Sequence, residues 1–371
     1  MSESQFQTFK LSDVINNLVD DKGKLIKAPG IPIKGFKEPQ DGTQRKMLIP
    51  SVIPNYVFRG SELGLIARFF LKKSRYGLWV SGPTGSGKTS VIEQFCARLN
   101  WPVVSCTGSG RFEFSQLVGS NRLTAGKNGE APTMKFELGP LAQAMLNGYV
   151  FIFNEADLAD PSELTALNEV LEGKDLYIPE NGGMIIKPHP MFRLVCTGNS
   201  AGSGDDTGAY VGISQQNMAL MDRFYFLEVG YMSEETEEQA FALAFPAIPK
   251  EWREKMVRFA VQIRSSFERG DLNSLSIPMS TRTLYKWADN YLWLLHSTGT
   301  PEEKLYVSFQ QALGARYNST DRQVVCQLAR AIFGEAWPAI EHWFVLSSAS
   351  FLFLIFRSFR GASCPEGHDA P

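Results

Sequence analysis

Eight consecutive residues, Gly82-Pro83-Thr84-Gly85-Ser86-Gly87-Lys88-Thr89, set three glycines, a lysine and a hydroxyl in the spacing GxxxxGK[ST]. Glycines let a backbone wrap closely and turn successive N–H groups toward anionic oxygens. A helix opening at Lys88 would add its unsatisfied N-terminal N–H groups, including that of Ser90, and the positive end of its dipole. Lys88 then supplies a cation for terminal phosphates, and the Thr89 hydroxyl an oxygen for a divalent ion. The ligand expected from this pattern is ATP with Mg2+. A second group, Asn154-Glu155-Ala156-Asp157, follows the apolar run YVFIF. Phosphoryl transfer to water needs one carboxylate to take a proton from the attacking water and another oxygen ligand near the metal. Glu155 stands where the base is expected, although it could merely cap a following helix. Asn154, an amide and not a carboxylate, stands at the magnesium position, so binding should survive while turnover slows.

These groups need elements to position them. Tyr76–Val80 is short, apolar and aromatic and ends at Gly82, which reads as a buried strand. Val91, Ile92, Phe95, Cys96 and Leu99 recur at helical spacing behind it. Further strands are expected at Pro102–Cys106, Tyr149–Phe153, Arg193–Thr197 and Phe224–Val229. Strands alternating with helices predict an α/β fold: a three-layer α/β/α domain with a five-stranded parallel sheet. Beyond Met232 only helical patterns remain, over Pro249–Gly270, Ser280–His296, 302–317 and 320–333, which predicts a small all-helical domain. Before the sheet, a short helix is expected around Leu11–Val19. A Pro- and Lys-rich stretch from Lys27 to Pro54 reads as an extended arm or linker, and a helix follows over Glu62–Lys72. The expected division is 1–55 as arm, 56–231 as the α/β domain, 232–345 as the helical lid and 346–371 as a C-terminal segment with a disordered tail.

Composition narrows the function. The 371 residues are 44 % apolar and 20 % charged, with a formal net charge of −2, which argues against a nucleic-acid coat or an anionic-membrane binder. Cys96, Cys106, Cys196, Cys326 and Cys364 form no CxxC pair, so neither a disulfide framework nor a zinc site is expected. The N-terminus lacks a signal-peptide core. The apolar run Phe344–Phe356 carries three serines and falls short of the roughly 18 residues that span a bilayer. The expected location is cytoplasmic. The four histidines show no paired spacing, which argues against histidine catalysis. The segment Gly202–Gly212, with Asp205 and Asp206, reads as a mobile loop in preference to a metal loop.

A strand candidate between the phosphate-loop strand and the Glu155 strand points to the ring-forming branch of phosphate-loop ATPases. Four stretches carry a closer resemblance: VIEQFCARLNWP (91–102), FELGPLAQAM (136–145), FRLVCTGNSAGSGDDTGAYVGISQQNMALMDRF (192–224) and MSTRTLYKWADN (279–290). Over roughly residues 28–300 the chain resembles AAA+ ATPases of the MoxR and dynein-related group, most nearly the CobS-type ATPase subunits of aerobic cobaltochelatases. The resemblance implies Asn199 as sensor 1, Arg223 as an arginine finger reaching the neighbouring subunit's nucleotide, and Arg282 as sensor 2. From the residues alone, Asn199 could be a strand-end turn residue, Arg223 a surface partner of Asp222, and Arg282 a first-turn helix residue. The resemblance further implies a homo-oligomeric ring, typically a hexamer. The implied partner protein carries a von Willebrand A-type domain. Two inserts are implied, near Asn121–Lys135 and Leu176–Pro190. Asn154 departs from the family's usual Asp, and Phe351–Phe356 has no family counterpart. The functions in contention are an ATP-driven remodeller, a chelatase subunit driving metal insertion into a tetrapyrrole, a slowly cycling scaffold, and a nucleic-acid motor, the last disfavoured by charge.

Overall fold

The computed structural model describes residues 5–72, 76–124, 132–204, 212–269 and 274–338. The chain divides into two compact units, Met1–Tyr231 and Met232–Pro371.

The first unit is organised by five strands: β1 (Gly77–Ser81), β2 (Val103–Thr107), β3 (Val150–Asn154), β4 (Arg193–Gly198) and β5 (Phe224–Glu228). All pairings are parallel, in the order β5-β1-β4-β3-β2. Both faces of β1 and β4 are buried along their whole length, which is why they read as continuous apolar runs instead of alternating ones. The register sets Gly198 beside Ser81 and Asn154 beside Thr107. Four strand ends are therefore level at one edge of the sheet, with β4 between β1 and β3. Three longer helices accompany the sheet: α1 (Gly60–Leu71), α2 (Lys88–Arg98) and α3 (Pro140–Asn147). Proline opens α3 and the left-handed Gly148 closes it, each where its backbone preference fits.

A buried arginine fixes the end of α1. Arg193 donates to the carbonyls of Phe69, Phe70 and Lys72 at 2.8–3.2 Å and to those of Pro190 and Phe192. Burial pulls its guanidinium down to about 10, so it remains charged at neutral pH. A cation among the last carbonyls of a helix is favoured by the dipole.

The N-terminal stretch differs from expectation. The stretch read as an arm or linker carries a strand, Pro32–Phe36, paired antiparallel with Phe6–Lys10. Its Ile33 and Phe36 are buried in the core of the first unit. The prolines that suggested a linker are compatible with this strand: Pro32 is its first residue, where no ladder donor is required. Gly35 permits the approach, since a Cβ there would stand 2.4 Å from the Leu99 carbonyl oxygen. The helix expected over Leu11–Val19 covers only Leu11–Val14. Leu18–Val19 instead pairs with Leu25–Ile26 and Phe58–Arg59. Both expected inserts are hairpins: Gly119–Thr124 with Thr133–Leu138, and Leu176–Ile178 with Met184–Ile186. Asp205, Asp206, the run Phe344–Phe356 and the C-terminal tail lie outside the described residues.

The second unit packs α4 (Glu234–Ala244), α5 (Lys250–Glu268), α6 (Thr281–Leu294), α7 (Pro301–Ala312) and α8 (Ser319–Phe333). Its core centres on Phe259, Trp287, Phe309, Phe333 and Trp337, whose rings meet edge-on, tilted or stacked at 4.9–6.1 Å. Polar caps start four of the five helices: Ser233, Ser280, Asn318, and Thr300 with Glu303 in a full capping box. The helix expected over 302–317 ends at Ala312 and tightens into a 3-10 turn, Gly314–Arg316. Helix α4 was not expected, because its acidic sequence masks a weak apolar stripe.

Inside this core, Arg264 forks onto both oxygens of Glu237 at 2.6 and 2.8 Å, with side-chain exposures of 5 % and 0 %. Arg264 also donates to the Met279 carbonyl, and the Thr281 hydroxyl to Glu237. Breaking a buried pair strands the surviving charge. Glu237→Ala is therefore expected to destabilise this unit by about 3–5 kcal/mol. Denaturant melts of the full chain should show an early transition that the wild type lacks.

Candidate nucleotide site

Strand β1 delivers the chain to Gly82, whose φ of 144° lies in glycine's range. A Cβ at Gly82 would stand 2.2 Å from the Val229 carbonyl oxygen, so backbone crowding and conformation both demand glycine. Gly85 and Gly87 also have positive φ, and a Cβ at Gly87 would meet nothing within 4 Å. The loop thus presents an open inner face beside the N-terminus of α2, the cradle that a polyphosphate requires. Lys88 Nζ donates to the carbonyls of Gly82 at 2.7 Å and Pro83 at 3.0 Å, and to Asn199 Oδ1 at 3.0 Å.

The neighbouring strand ends converge on this loop. The Thr89 hydroxyl donates to Asn154 Oδ1 at 2.7 Å, and the Thr197 hydroxyl to the same oxygen at 3.3 Å. With its proton directed to Asn154, the Thr89 oxygen keeps lone pairs for a cation. Among the described residues, no cluster of three or more His, Cys, Asp or Glu could hold a metal. A hydroxyl and an amide oxygen fit a small hard ion such as Mg2+, which keeps waters and takes the rest of its shell from phosphate.

Glu155 is exposed and has a left-handed backbone, φ 51° and ψ 42°. Such a conformation costs a non-glycine residue roughly 1 kcal/mol or more. Its N–H donates to Thr197 Oγ1 at 3.2 Å. Its side chain makes no capping bond to the 3-10 turn Ala156–Leu158 that follows, which disposes of the capping account. A Cβ at Gly108, after β2, would meet the Glu155 carbonyl oxygen at 2.5 Å, so the β2 end packs tightly under this turn.

Asn199 follows β4. Its Oδ1 accepts from Lys88 and, at 3.4 Å, from Thr84 Oγ1. Its backbone is fastened by Asp157, which is fully buried. Asp157 Oδ2 accepts from the N–H groups of Asn199 at 2.6 Å and Ser200 at 3.2 Å. Burial raises this carboxyl above the usual carboxylate range; the two N–H bonds and the Lys88 charge oppose the shift without cancelling it. Trp79 Nε1 donates to the Ser200 carbonyl at 2.8 Å from the other side.

Arg223 stands elsewhere. Its carbonyl accepts from Gly77 N–H, at the start of β1, while the phosphate loop begins after Ser81. Those four residue steps separate it from its own loop by about 13 Å of strand. Its guanidinium pairs with Glu172 and not with Asp222. Arg282 is an exposed residue in the first turn of α6, next to Thr281. The structure therefore brings Gly82–Ser90, Asn154, Glu155 and Asn199 together at one sheet edge, and sets Arg223 at the opposite end of β1.

Four supporting residues carry no signal in the sequence that ties them to the site. Asp157 was visible as an acid in the Asn154–Asp157 group, but nothing marked it as buried. Trp79 read only as strand core. Tyr231 donates its hydroxyl to the Thr84 carbonyl at 2.9 Å, and Arg59 holds the Gly230 carbonyl at 3.0 Å; no pattern linked either to the loop.

A family model for the AAA domain of the dynein-related subfamily matches residues 77–224. The chain is 34 % identical over 248 residues to the aerobic cobaltochelatase subunit CobS of a Sinorhizobium species, covering 65 % of this chain and 72 % of that protein. It is 27 % identical to an uncharacterized protein of Staphylococcus haemolyticus, over 56 % of this chain and 74 % of the relative. It is 25 % identical to midasin of Dictyostelium discoideum, over 71 % of this chain but 4 % of midasin. Asp157→Ala is expected to leave the Asn199 and Ser200 N–H groups unsatisfied and to lower stability by about 2–3 kcal/mol, read as a shift in the urea midpoint of the first unit.

Proposed function

Because the chain belongs to the AAA+ ATPases of the dynein-related, CobS-like group, we propose that it binds ATP with Mg2+ at Gly82–Ser90, assembles into a ring, and uses hydrolysis to remodel a partner protein. The observation that carries this reading is the division of the machinery. Lys88, Thr89, Asn154, Glu155 and Asn199 meet at one edge of the sheet, and Arg223 stands at the other end of β1. A single copy brings together all but the arginine, which supports a site completed by the Arg223 of a second copy.

In this reading Lys88 leaves the loop carbonyls for the β- and γ-phosphates, and the backbone N–H groups of the loop bind the remaining oxygens. Thr89 and Asn154 would hold Mg2+, which would neutralise phosphate charge. Asn199 orients the attacking water, and Glu155 takes its proton as the oxygen bonds to the γ-phosphorus and the β–γ bridging oxygen leaves. Arg223 of the adjoining copy stabilises the charge that develops on the transferring group. Arg282 is proposed as sensor 2. By analogy with the group, the partner carries a von Willebrand A-type domain, the ring is a hexamer, and the site of action is the cytoplasm.

A second reading follows from Asn154. A neutral amide at the metal position holds Mg2+ less tightly than a carboxylate, which favours a slowly cycling, ATP-held scaffold. The similarity to a cobaltochelatase subunit supports a third: a chelatase motor that drives metal insertion. Co-purification in the presence of ATP separates these readings, since a large tetrapyrrole-binding subunit would select the third.

Magnesium-dependent turnover should rise faster than linearly with protein concentration. Protein that binds ATP yet hydrolyses none across the series would leave the scaffold. Glu155→Gln should keep ATP binding and lower turnover by at least 100-fold, in line with loss of a general base; unchanged turnover removes Glu155 from that role. Asn154→Asp should lower the Mg2+ concentration for half-maximal turnover by about tenfold, about 1.4 kcal/mol. An unaltered Mg2+ titration would show that Asn154 does not face the metal.

A further inference from the structure

Arg223 is committed in a specific way. Its Nε and one Nη donate to a single oxygen of Glu172, at 3.2 and 2.5 Å, and its other Nη donates to the Ala219 carbonyl. The second Glu172 oxygen takes Lys174 at 3.0 Å. These contacts hold the Glu172 carboxyl below its usual range, the Arg223 bond first and Lys174 next.

A guanidinium has five N–H groups in a planar fork. Glu172 occupies the side edge formed by Nε and one Nη, and Ala219 takes one N–H of the other Nη. Among the described residues one N–H on each terminal nitrogen has no partner, and with Ala219 on the outer N–H these two make up the end-on fork that matches two phosphate oxygens. The Arg223 side chain is 27 % exposed and Glu172 37 %, so the pair lies at the surface, where an unassisted arginine would sample many rotamers. Ordering such a side chain on binding costs rotamer entropy.

We propose that Glu172 is a positioning residue that presents Arg223, with its end-on fork free, to the terminal phosphate bound by a neighbouring copy. Lys174 offsets the negative charge that Glu172 would otherwise bring near that phosphate. The inference rests on the reading that Arg223 acts in trans, and its test separates the two.

Arg223→Ala protein keeps its own site but lacks the donated arginine; Glu155→Gln protein donates an arginine but cannot hydrolyse. Neither turns over alone, and mixing them should restore Mg2+-ATP hydrolysis. With Glu155→Gln/Glu172→Ala as the donor, the restored rate should fall by tenfold or more. A Glu172→Gln donor, which keeps an acceptor oxygen, should recover part of it. A labelled ATP analogue should bind the Glu172→Ala chain within about twofold of wild type, and assembly size by light scattering should match, which excludes a folding defect. Equal restoration by the two donors, with and without Glu172, overturns the positioning role while leaving the trans arginine intact. If the unmodified donor restores nothing, the trans reading fails and the role of Glu172 fails with it.

Discussion

Asp157 has no access to water, yet one of its oxygens takes two backbone N–H groups from the end of the strand beside it. That carboxyl joins the turn carrying Glu155 to the segment carrying Asn199. Gly198 makes the contact feasible, because a Cβ there would press on the Asp157 carboxyl and the Trp79 ring at 3.0 Å. Trp79 in turn belongs to the strand that feeds the phosphate loop. Three of the five strands are thus locked at their ends by one acid and one indole. These bonds fix the Glu155 turn, the Asn199 segment and the phosphate-loop strand relative to one another. Such groups contribute to phosphoryl transfer through fixed position more than through covalent chemistry.

The same device recurs away from the sheet. Arg193 closes α1 through carbonyls alone, and the Arg264–Glu237 fork fixes Met279 and Thr281 just before Arg282. In each case a buried ionic group meets the backbone at the end of an element. Buried charge seldom adds net stability over an apolar replacement. These charges contribute definite geometry where an apolar contact would allow sliding. The Glu172–Arg223 pair holds an arginine in the same way at the surface.

Much of this was legible in the sequence. All five strands lie within a residue or two of their expected positions, because strands buried on both faces leave unbroken apolar runs. The phosphate loop was legible because its conformation leaves no choice but glycine at Gly82. Glu155 and Asn154 were legible as polar residues ending an apolar strand. What escaped depends on contacts between distant segments. The strand Pro32–Phe36 is made by pairing with Phe6–Lys10 and seating on the end of α2, which no local pattern reports. Asp157 looks like any acid in a turn, and Arg223 sits directly after the more obvious partner Asp222. Helix α4 was hidden because its first turn is carboxylates, a good start for a helix dipole but a poor apolar signal.

The left-handed backbone at Glu155 has an evolutionary consequence. Glycine, asparagine and aspartate adopt that conformation more cheaply than glutamate. Its side chain is exposed and makes no capping bond. Replacing it with any of the three would therefore leave folding unharmed or slightly improved. Loss of this glutamate therefore runs downhill in stability, so its retention at this position would have to rest on selection for something other than folding. Drift to valine or isoleucine is blocked by the backbone whatever the selection.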